Sequence, residues 1–452
     1  MMTVNEAIEK ITSAKRGETV YIKISKSLLT GDDLTDLAAL LGYTTTTTEI
    51  AEGIYPIDKD GENIAYVNFS YEEASIEIDI EVASDNSEVK LTDIGWSWKY
   101  DGNKPSVDWG DGKGAIEIKN LTHISNIYSS PGKYTIRITD LCISDTHSES
   151  ADTTTPFGNR PSYMPATDIR FNKEQVINSA YSLFRNFRTL KSVSGIVRIN
   201  PASSSTSFQE LFKNCYKLKD ISRFTIIANN PSTGVTFKWM FQYCKSITAE
   251  DVEKFVITNL NLDSVIDYTA MFERCASLKR TPKNLIGSNC VNAGYIFNET
   301  GVEYWADKIF DNVETISHTF RAVDLKFVST ELKLDKLRYV FDSLADASLN
   351  YKSVETIHNA LPNAPQEISE PNDYKIVFGI DETEKNIVKN IQKLFDINPD
   401  NFGQWTSQKD GSLMTDGSGD PIKLPFGSSW ALTSSKGWRI GFTSKSCRWQ
   451  AV

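Results

Sequence analysis

One short pattern recurs along the middle of this chain and limits what it can fold into. Leu, Met or an aromatic residue is followed by Phe, then two residues, Cys or an apolar residue, two more residues and an aliphatic one. The clearest copies are Leu211-Phe212…Cys215…Leu218, Met240-Phe241…Cys244…Ile247 and Met271-Phe272…Cys275…Leu278. With Phe as the marker, copies fall at Phe184, Phe212, Phe241, Phe272, Phe297, Phe320 and Phe341, in steps of 28, 29, 31, 25, 23 and 21 residues. A self-similar period of ~20–50 residues marks units that stack because none can bury its own apolar face alone. Three positions after each Phe stand Phe187, Cys215, Cys244, Cys275, Thr300, Val323 and Leu344. The i, i+3, i+6 spacing of Phe, Cys and Leu predicts a helical or 3₁₀ turn facing a core. Between copies, Phe224–Ile227 and Phe255–Ile257 predict short rung strands. Val354, Ile357 and Leu361 read as a last degenerate copy, since terminal units are atypical.

The flanks read differently. A chain of 452 residues suggests about three domains at ~150 residues each. Residues 1–90 predict a small α/β domain. Thr3–Glu6 has capping-box spacing, Val4, Ala7, Ile8 and Ile11 share a helical face, and Val20, Ile22 and Ile24 alternate as a strand. Leu34, Leu37, Ala38 and Leu41 predict a second helix ended by Gly42, with Thr44–Thr48 extended and Ile76–Val82 a strand with one wet face. Residues 91–145 carry Val107-Asp108-Trp109-Gly110-Asp111-Gly112, then Pro131-Gly132 before Tyr134, Ile136 and Ile138. Asp111-Gly112 suits a tight turn at positive φ, and Thr135 and Arg137 face outward. Residues 146–166 read as a linker. Residues 363–452 predict a helix bearing Ile387, Ile391, Leu394 and Phe395, then a tail rich in Gly and Ser that holds Trp405, Trp430, Trp438 and Trp449.

The WGDG turn followed by a Tyr…Pro-Gly-x-Tyr-x-Ile strand resembles the PKD-type β-sandwich over about 50 residues. The Phe-x-x-Cys-x-x-Leu copies resemble the BspA-like class of leucine-rich repeats over residues 167–362, and a WGDG module just before them suits that family. The fold expected is an α+β multidomain chain: a small N-terminal α/β domain, a short PKD-like β-sandwich, a leucine-rich-repeat-type solenoid with Phe184, Phe212, Phe241, Phe272, Phe297, Phe320 and Phe341 in its core, and a Trp-rich C-terminal cap.

Chemistry is weighed against blander explanations. Cys215, Cys244 and Cys275 form one column. Metal sites usually bring close C-x-x-C pairs, which are missing here, so a buried column of small apolar residues is expected. Asp108 with Asp111, and Asp58, Asp60 and Glu62, crowd turns without the ligand spacing of a calcium loop. His123, His147, His318 and His358 fall in no zinc-binding frame, and no nucleophile elbow, P-loop or Rossmann glycine run occurs. No catalytic residue, metal or cofactor is named, and a non-enzymatic protein is expected. The four C-terminal tryptophans are candidates for partner binding, with a small core as the alternative.

Net charge of −11 argues against nucleic acid. No window of 18 apolar residues predicts a membrane span. Six cysteines make no disulfide framework, and Met1–Lys15 does not read as a signal peptide, so synthesis in a reducing cytoplasm is expected. The resemblance implies a surface-exposed recognition protein. Two settings fit. One is a bacteriophage virion protein, a tail or head appendage attached to other virion proteins through residues 1–90, homo-oligomeric or not, and binding a host-surface glycan or protein. The alternative is a bacterial cell-surface adhesin.

Overall fold

The computed structural model describes Ser13, residues 75–91, 96–101, 105–121, 124–146, 164–201, 207–229, 235–283, 290–305, 312–338, 340, 343–364, 375–426 and 432–446, and the backbone of strands at 18–24, 44–45, 54–59 and 62–71. Strands make up 33% and helices 10%, spread over several sheets, so this is a β-rich mixed protein. The chain divides into two compact units.

The first unit takes in residues 1–77, 100–119 and 136–141. Its four-stranded sheet is mixed. Glu18–Ile24 runs parallel to Glu62–Tyr71, which pairs antiparallel with Ile54–Lys59, itself antiparallel to Thr44–Thr45. The helices expected at 4–11 and 34–41, and Thr46–Thr48, lie outside the described residues. Further along, Ser106–Asp108 pairs antiparallel with Ala115–Glu117 across the WGDG turn. Gly110, Gly112 and Gly114 all take positive φ, at 69°, 83° and 80°, the region open to glycine without a Cβ clash. Asp108 Oδ1 accepts from Gly110 N at 2.9 Å, and Asp111 Oδ2 pairs with Lys113 Nζ at 2.7 Å. Both carboxylates are thus engaged in turn chemistry.

The second unit takes in residues 78–99, 120–135 and 142–452. Ala166–Ile177, Ser192–Ile199, Asp220–Ile227 and Val256–Thr258 lie parallel in that order. Their inward residues are apolar at period two: Val197 and Ile199, then Phe224 and Ile226. Asp79 anchors the start of this sheet by a bidentate pair with Arg170 and a bond from Thr135 Oγ1 at 2.7 Å. Shorter parallel pairs follow the same sense, Val235–Thr236 with Val265–Asp267 and Tyr304–Trp305 with Phe327–Val328.

Between strands, each described marker Phe sits in a turn rather than a helix. Leu183, Arg185 and Phe187 donate back three residues, to Ala180, Ser182 and Phe184. The intervening N–H groups of Ser182, Phe184 and Asn186 instead donate to Gln209, Leu211 and Lys213 in the next copy. The residues two before and two after Phe take positive φ to turn those groups outward. They are Ser182 and Asn186, Glu210 and Asn214, Trp239 and Tyr243, Ala270 and Arg274, Tyr295 and Glu299, His318 and Ala322. The i, i+3, i+6 spacing thus reflects alternate i→i−3 bonds, and positive φ at every fourth residue prevents a helix.

Two local features differ from expectation. Ala249–Lys254 is a helix started by a Thr248–Asp251 capping box, and Phe255 caps its end instead of opening a strand. Val354, Ile357 and Leu361 belong to the helix Tyr351–Ala360 and its cap, because Asn350 accepts from Ser353 N and starts a helix where a turn was expected. The helix expected near Ile387 spans Ile387–Leu394. Beside it, Lys375–Gly379 runs parallel to Arg439–Thr443, with Leu432–Thr433 antiparallel on the far side.

His358 lies on the buried face of Tyr351–Ala360, edge-on to Phe395 at 4.6 Å, and its Nδ1 has no hydrogen-bond partner. Burial, aided by nearby Lys436, holds its pKa below the usual imidazole value. The unfolded chain therefore binds the extra proton first, and stability falls as pH drops below about 6.5. Ion-paired carboxylates such as Glu253, held low mainly by Arg280, begin to lose their contribution only below about 4.3. Between pH 7.5 and 5, urea midpoints should fall for the native chain and stay flatter for His358→Phe. Equal slopes would remove His358 as the source.

Candidate binding surface on the repeated turns

The Phe column comes first because it fixes the outer surface. Phe184, Phe212, Phe241, Phe272, Phe297 and Phe320 are fully buried. Their rings stack in sequence at 5.1, 5.4, 5.5, 5.6 and 5.6 Å, with interplanar angles of 7°, 13°, 3°, 4° and 15°. Phe341 lies outside the described residues. Trp96 closes the first end edge-on to Phe184, and its Nε1 donates to Leu183 O at 2.6 Å. After the last described ring, Ala322 N donates to the Asp346 carboxylate at 2.8 Å. The Trp96 bond satisfies the Leu183 carbonyl, whose counterpart in the next copy, Leu211 O, accepts from the preceding turn.

Each column cysteine reaches one copy back. Cys215, Cys244 and Cys275 Sγ donate to Phe184, Phe212 and Phe241 O at 3.0, 3.0 and 3.1 Å. Burial drives all three thiols far above their ordinary pKa, and Cys290 is pushed up to about 12. A thiol kept protonated is a weak donor and a poor nucleophile. In the native protein these three should resist a disulfide-exchange reagent at pH 8 and react once the chain is unfolded. Rapid native labelling of Cys244 would contradict the column. Among the described residues, no group of three or more His, Cys, Asp or Glu could hold a metal ion.

Of the tryptophans expected to contact a partner, Trp405 and Trp438 are buried. Trp405 Nε1 donates to Leu424 O at 3.0 Å with its ring edge-on to Phe426, and Trp438 Nε1 donates to Pro362 O at 2.7 Å. Both serve a small core that needs large side chains, which corrects their assignment as contact residues. Trp430 and Trp449 lie outside the described residues.

What faces outward on the turns is a set of aromatic and charged side chains at matching offsets from Phe. Tyr216 lies under two cations from the copies on either side, Arg188 at 5.6 Å and Lys245 at 5.1 Å from the ring centre. Tyr243 approaches Tyr216 at 6.3 Å and carries Arg274 at 4.9 Å. Lys213 and Lys238 each stand 4.3 Å from the Trp239 ring, and Tyr295 stacks on His318 at 4.5 Å. Such cation–ring contacts hold long side chains in place at ~0.5–1 kcal/mol each when exposed. A second row is acidic and amide, with Glu210, Gln242 and Asn298 buried. Glu210 pairs with Arg185 and Lys213 at 2.8 and 2.9 Å, and Glu273 accepts from Gln242 and from Asn298.

Positive φ at a bulky residue such as Trp239 or Tyr243 is uncommon. The turn imposes that conformation whatever the side chain, since Ser182 and Ala270 adopt it at the same offset as Trp239. The aromatic identity therefore serves the surface and not the backbone. The sequence signal for this surface was available: Arg188, Tyr216 and Lys245 all stand four residues after the marker Phe. Compared with protein-family models, curated proteins and solved structures, the chain matches none of them.

Proposed function

We propose that this chain is a non-enzymatic bacteriophage virion structural protein, a tail or head appendage that offers a repeat surface to the host. In this reading the Phe-centred copies of residues 167–362 form a solenoid of the BspA-like leucine-rich-repeat kind. Residues 1–90 attach to other virion proteins, residues 91–145 act as a PKD-like spacer, and residues 363–452 cap the solenoid. One observation carries it: six turns share a backbone while the side chains two before Phe run Ser182, Glu210, Trp239, Ala270, Tyr295 and His318. Ser182, Glu210 and Ala270 are buried, whereas Trp239, Tyr295 and His318 are at least partly exposed, so one turn backbone offers different side chains from copy to copy, as suits recognition. The contact surface is then the turns, and not Trp405 and Trp438. No helix among the described residues is long and apolar enough to cross a membrane.

Mass spectrometry of purified phage particles tests this. Peptides of the chain at a fixed ratio to the major capsid protein are expected. Recovery only from the host envelope fraction would overturn the virion assignment in favour of a bacterial adhesin. Turnover of a glycan by the purified chain would overturn the non-enzymatic assignment.

A further inference from the structure

Charge along the turns is uneven in a way the whole chain does not foreshadow. Acids outnumber bases 59 to 48 overall. Yet positions four to seven after Phe in the first three copies read Arg188-Thr-Leu-Lys191, Tyr216-Lys217-Leu218-Lys219 and Lys245-Ser-Ile-Thr248, with five bases and no acid. Lys191, Lys217, Lys219 and Lys245 are exposed, and among the described residues none makes an ion pair. Lys219 N donates to Lys191 O at 2.9 Å, so these segments lie side by side in neighbouring copies. The next acid along, Asp220, is occupied by its own loop, accepting from Ser222 N at 3.0 Å and Ser222 Oγ at 2.7 Å.

Tyr216 gives this band its geometry. With a cation over it from each neighbouring copy, the ring acts as a spacer that holds Arg188 and Lys245 apart. Adjacent parallel strands lie ~4.8 Å apart, so groups two copies apart are separated by ~10 Å along the stack. Arg188 and Lys245 are thus held ~10 Å apart, a spacing that suits a polymer whose own charges are sparse.

We propose that the band built on Arg188, Lys191, Tyr216, Lys217, Lys219 and Lys245 binds an acidic polysaccharide with carboxylates on its sugar rings. This rests on the outward-facing turns of the preceding reading and names its ligand class. A duplex nucleic acid carries a charge every ~1.7 Å, far denser than two cations held ~10 Å apart on Tyr216 can match, and the chain as a whole carries −11. A uronic acid polymer is less densely charged.

The test uses the full purified chain and four probes: alginate, carboxyl-reduced alginate, a single-stranded oligonucleotide and phosphatidylglycerol vesicles. Alginate should bind, more weakly as salt rises, and the reduced polymer should not. The Arg188→Gln/Lys245→Gln variant should lose about fivefold to tenfold in affinity. Tyr216→Phe should keep binding, because the ring still carries both cations, whereas Tyr216→Leu should lose severalfold. Lys333→Gln/Lys336→Gln, exposed and outside the band, should bind as the native chain does. Absence of alginate binding, equal binding by the double variant, or oligonucleotide or vesicle binding as tight as alginate would each overturn the proposal. If particles contain the chain yet adsorb to host cells unchanged with the double variant, the polysaccharide site falls and the appendage reading stands. If particles lack the chain while the purified protein binds alginate through this band, the reverse holds.

Discussion

Replacing Phe241 by alanine is expected to destabilise the second unit by about 4 kcal/mol, within the ~3–5 kcal/mol range for Phe→Ala in cores. The ring is fully buried between Phe212 at 5.4 Å and Phe272 at 5.5 Å, with Phe255 edge-on at 6.1 Å. Its removal opens a void bounded above and below by rigid rings. The backbone cannot close it, because Phe241 N is bonded to Met271 O and the flanking Trp239 and Tyr243 N–H groups to Thr269 and Glu273 O. Phe241→Leu keeps much of the volume and should cost less, about 1–2 kcal/mol, including the ring-pair contribution of ~0.5–1.5 kcal/mol. Chemical denaturation measures both. A loss under 1 kcal/mol for the alanine variant would mean that the stack relaxes freely, and the rigid column would be wrong.

Gly195→Ala should be comparably severe, on the order of 3–5 kcal/mol, from backbone strain and overlap together. Gly195 sits at φ +100°, and a Cβ there would meet Phe171 O at 2.2 Å and Phe171 Cβ at 2.7 Å. The obstruction is main chain in a paired strand, so no rotamer change relieves it. Gly112→Ala supplies the contrast. Its φ is +83°, but nothing lies within 4 Å of the added carbon. Only the left-handed penalty of ~1–2 kcal/mol applies there. A Gly195 variant that melts no lower than the Gly112 variant would show that the rung pairing yields to the extra methyl.

Much of this could be read from the residues because periodic burial leaves periodic side chains. Phe at a recurring spacing marked the stacked rings, and Ile76, Ile78 and Ile80 marked a strand whose alternate residues are buried. The turn backbone was harder to read. Positive φ usually shows itself through Gly or Asn, but the twelve turn positions hold only Asn186 and Asn214 and no glycine. Interlocked hydrogen bonds impose the conformation there, and no local residue preference signals it. The helix at Ala249–Lys254 escaped for the opposite reason: Thr248 and Asp251 signalled it, but it is too short to display an apolar periodicity. Trp405 and Trp438 were ambiguous because an indole N–H is satisfied equally by a buried carbonyl or a ligand. The cation–ring contacts of Tyr216 depend on residues 28 and 29 positions away, so they appear only once the copies are superposed.

The outward N–H groups of the first five turns all point towards the chain's C-terminus, each meeting a carbonyl of the unit that follows. A polymer joined in this polar fashion can be spliced in its middle. A whole extra unit inserted between two neighbours would offer one row of carbonyls and one row of N–H groups, and both would find their mates. Trp96 would keep its post against the first turn. Length in such a protein is therefore an inheritable variable that duplication within the gene can adjust, with no new end chemistry needed.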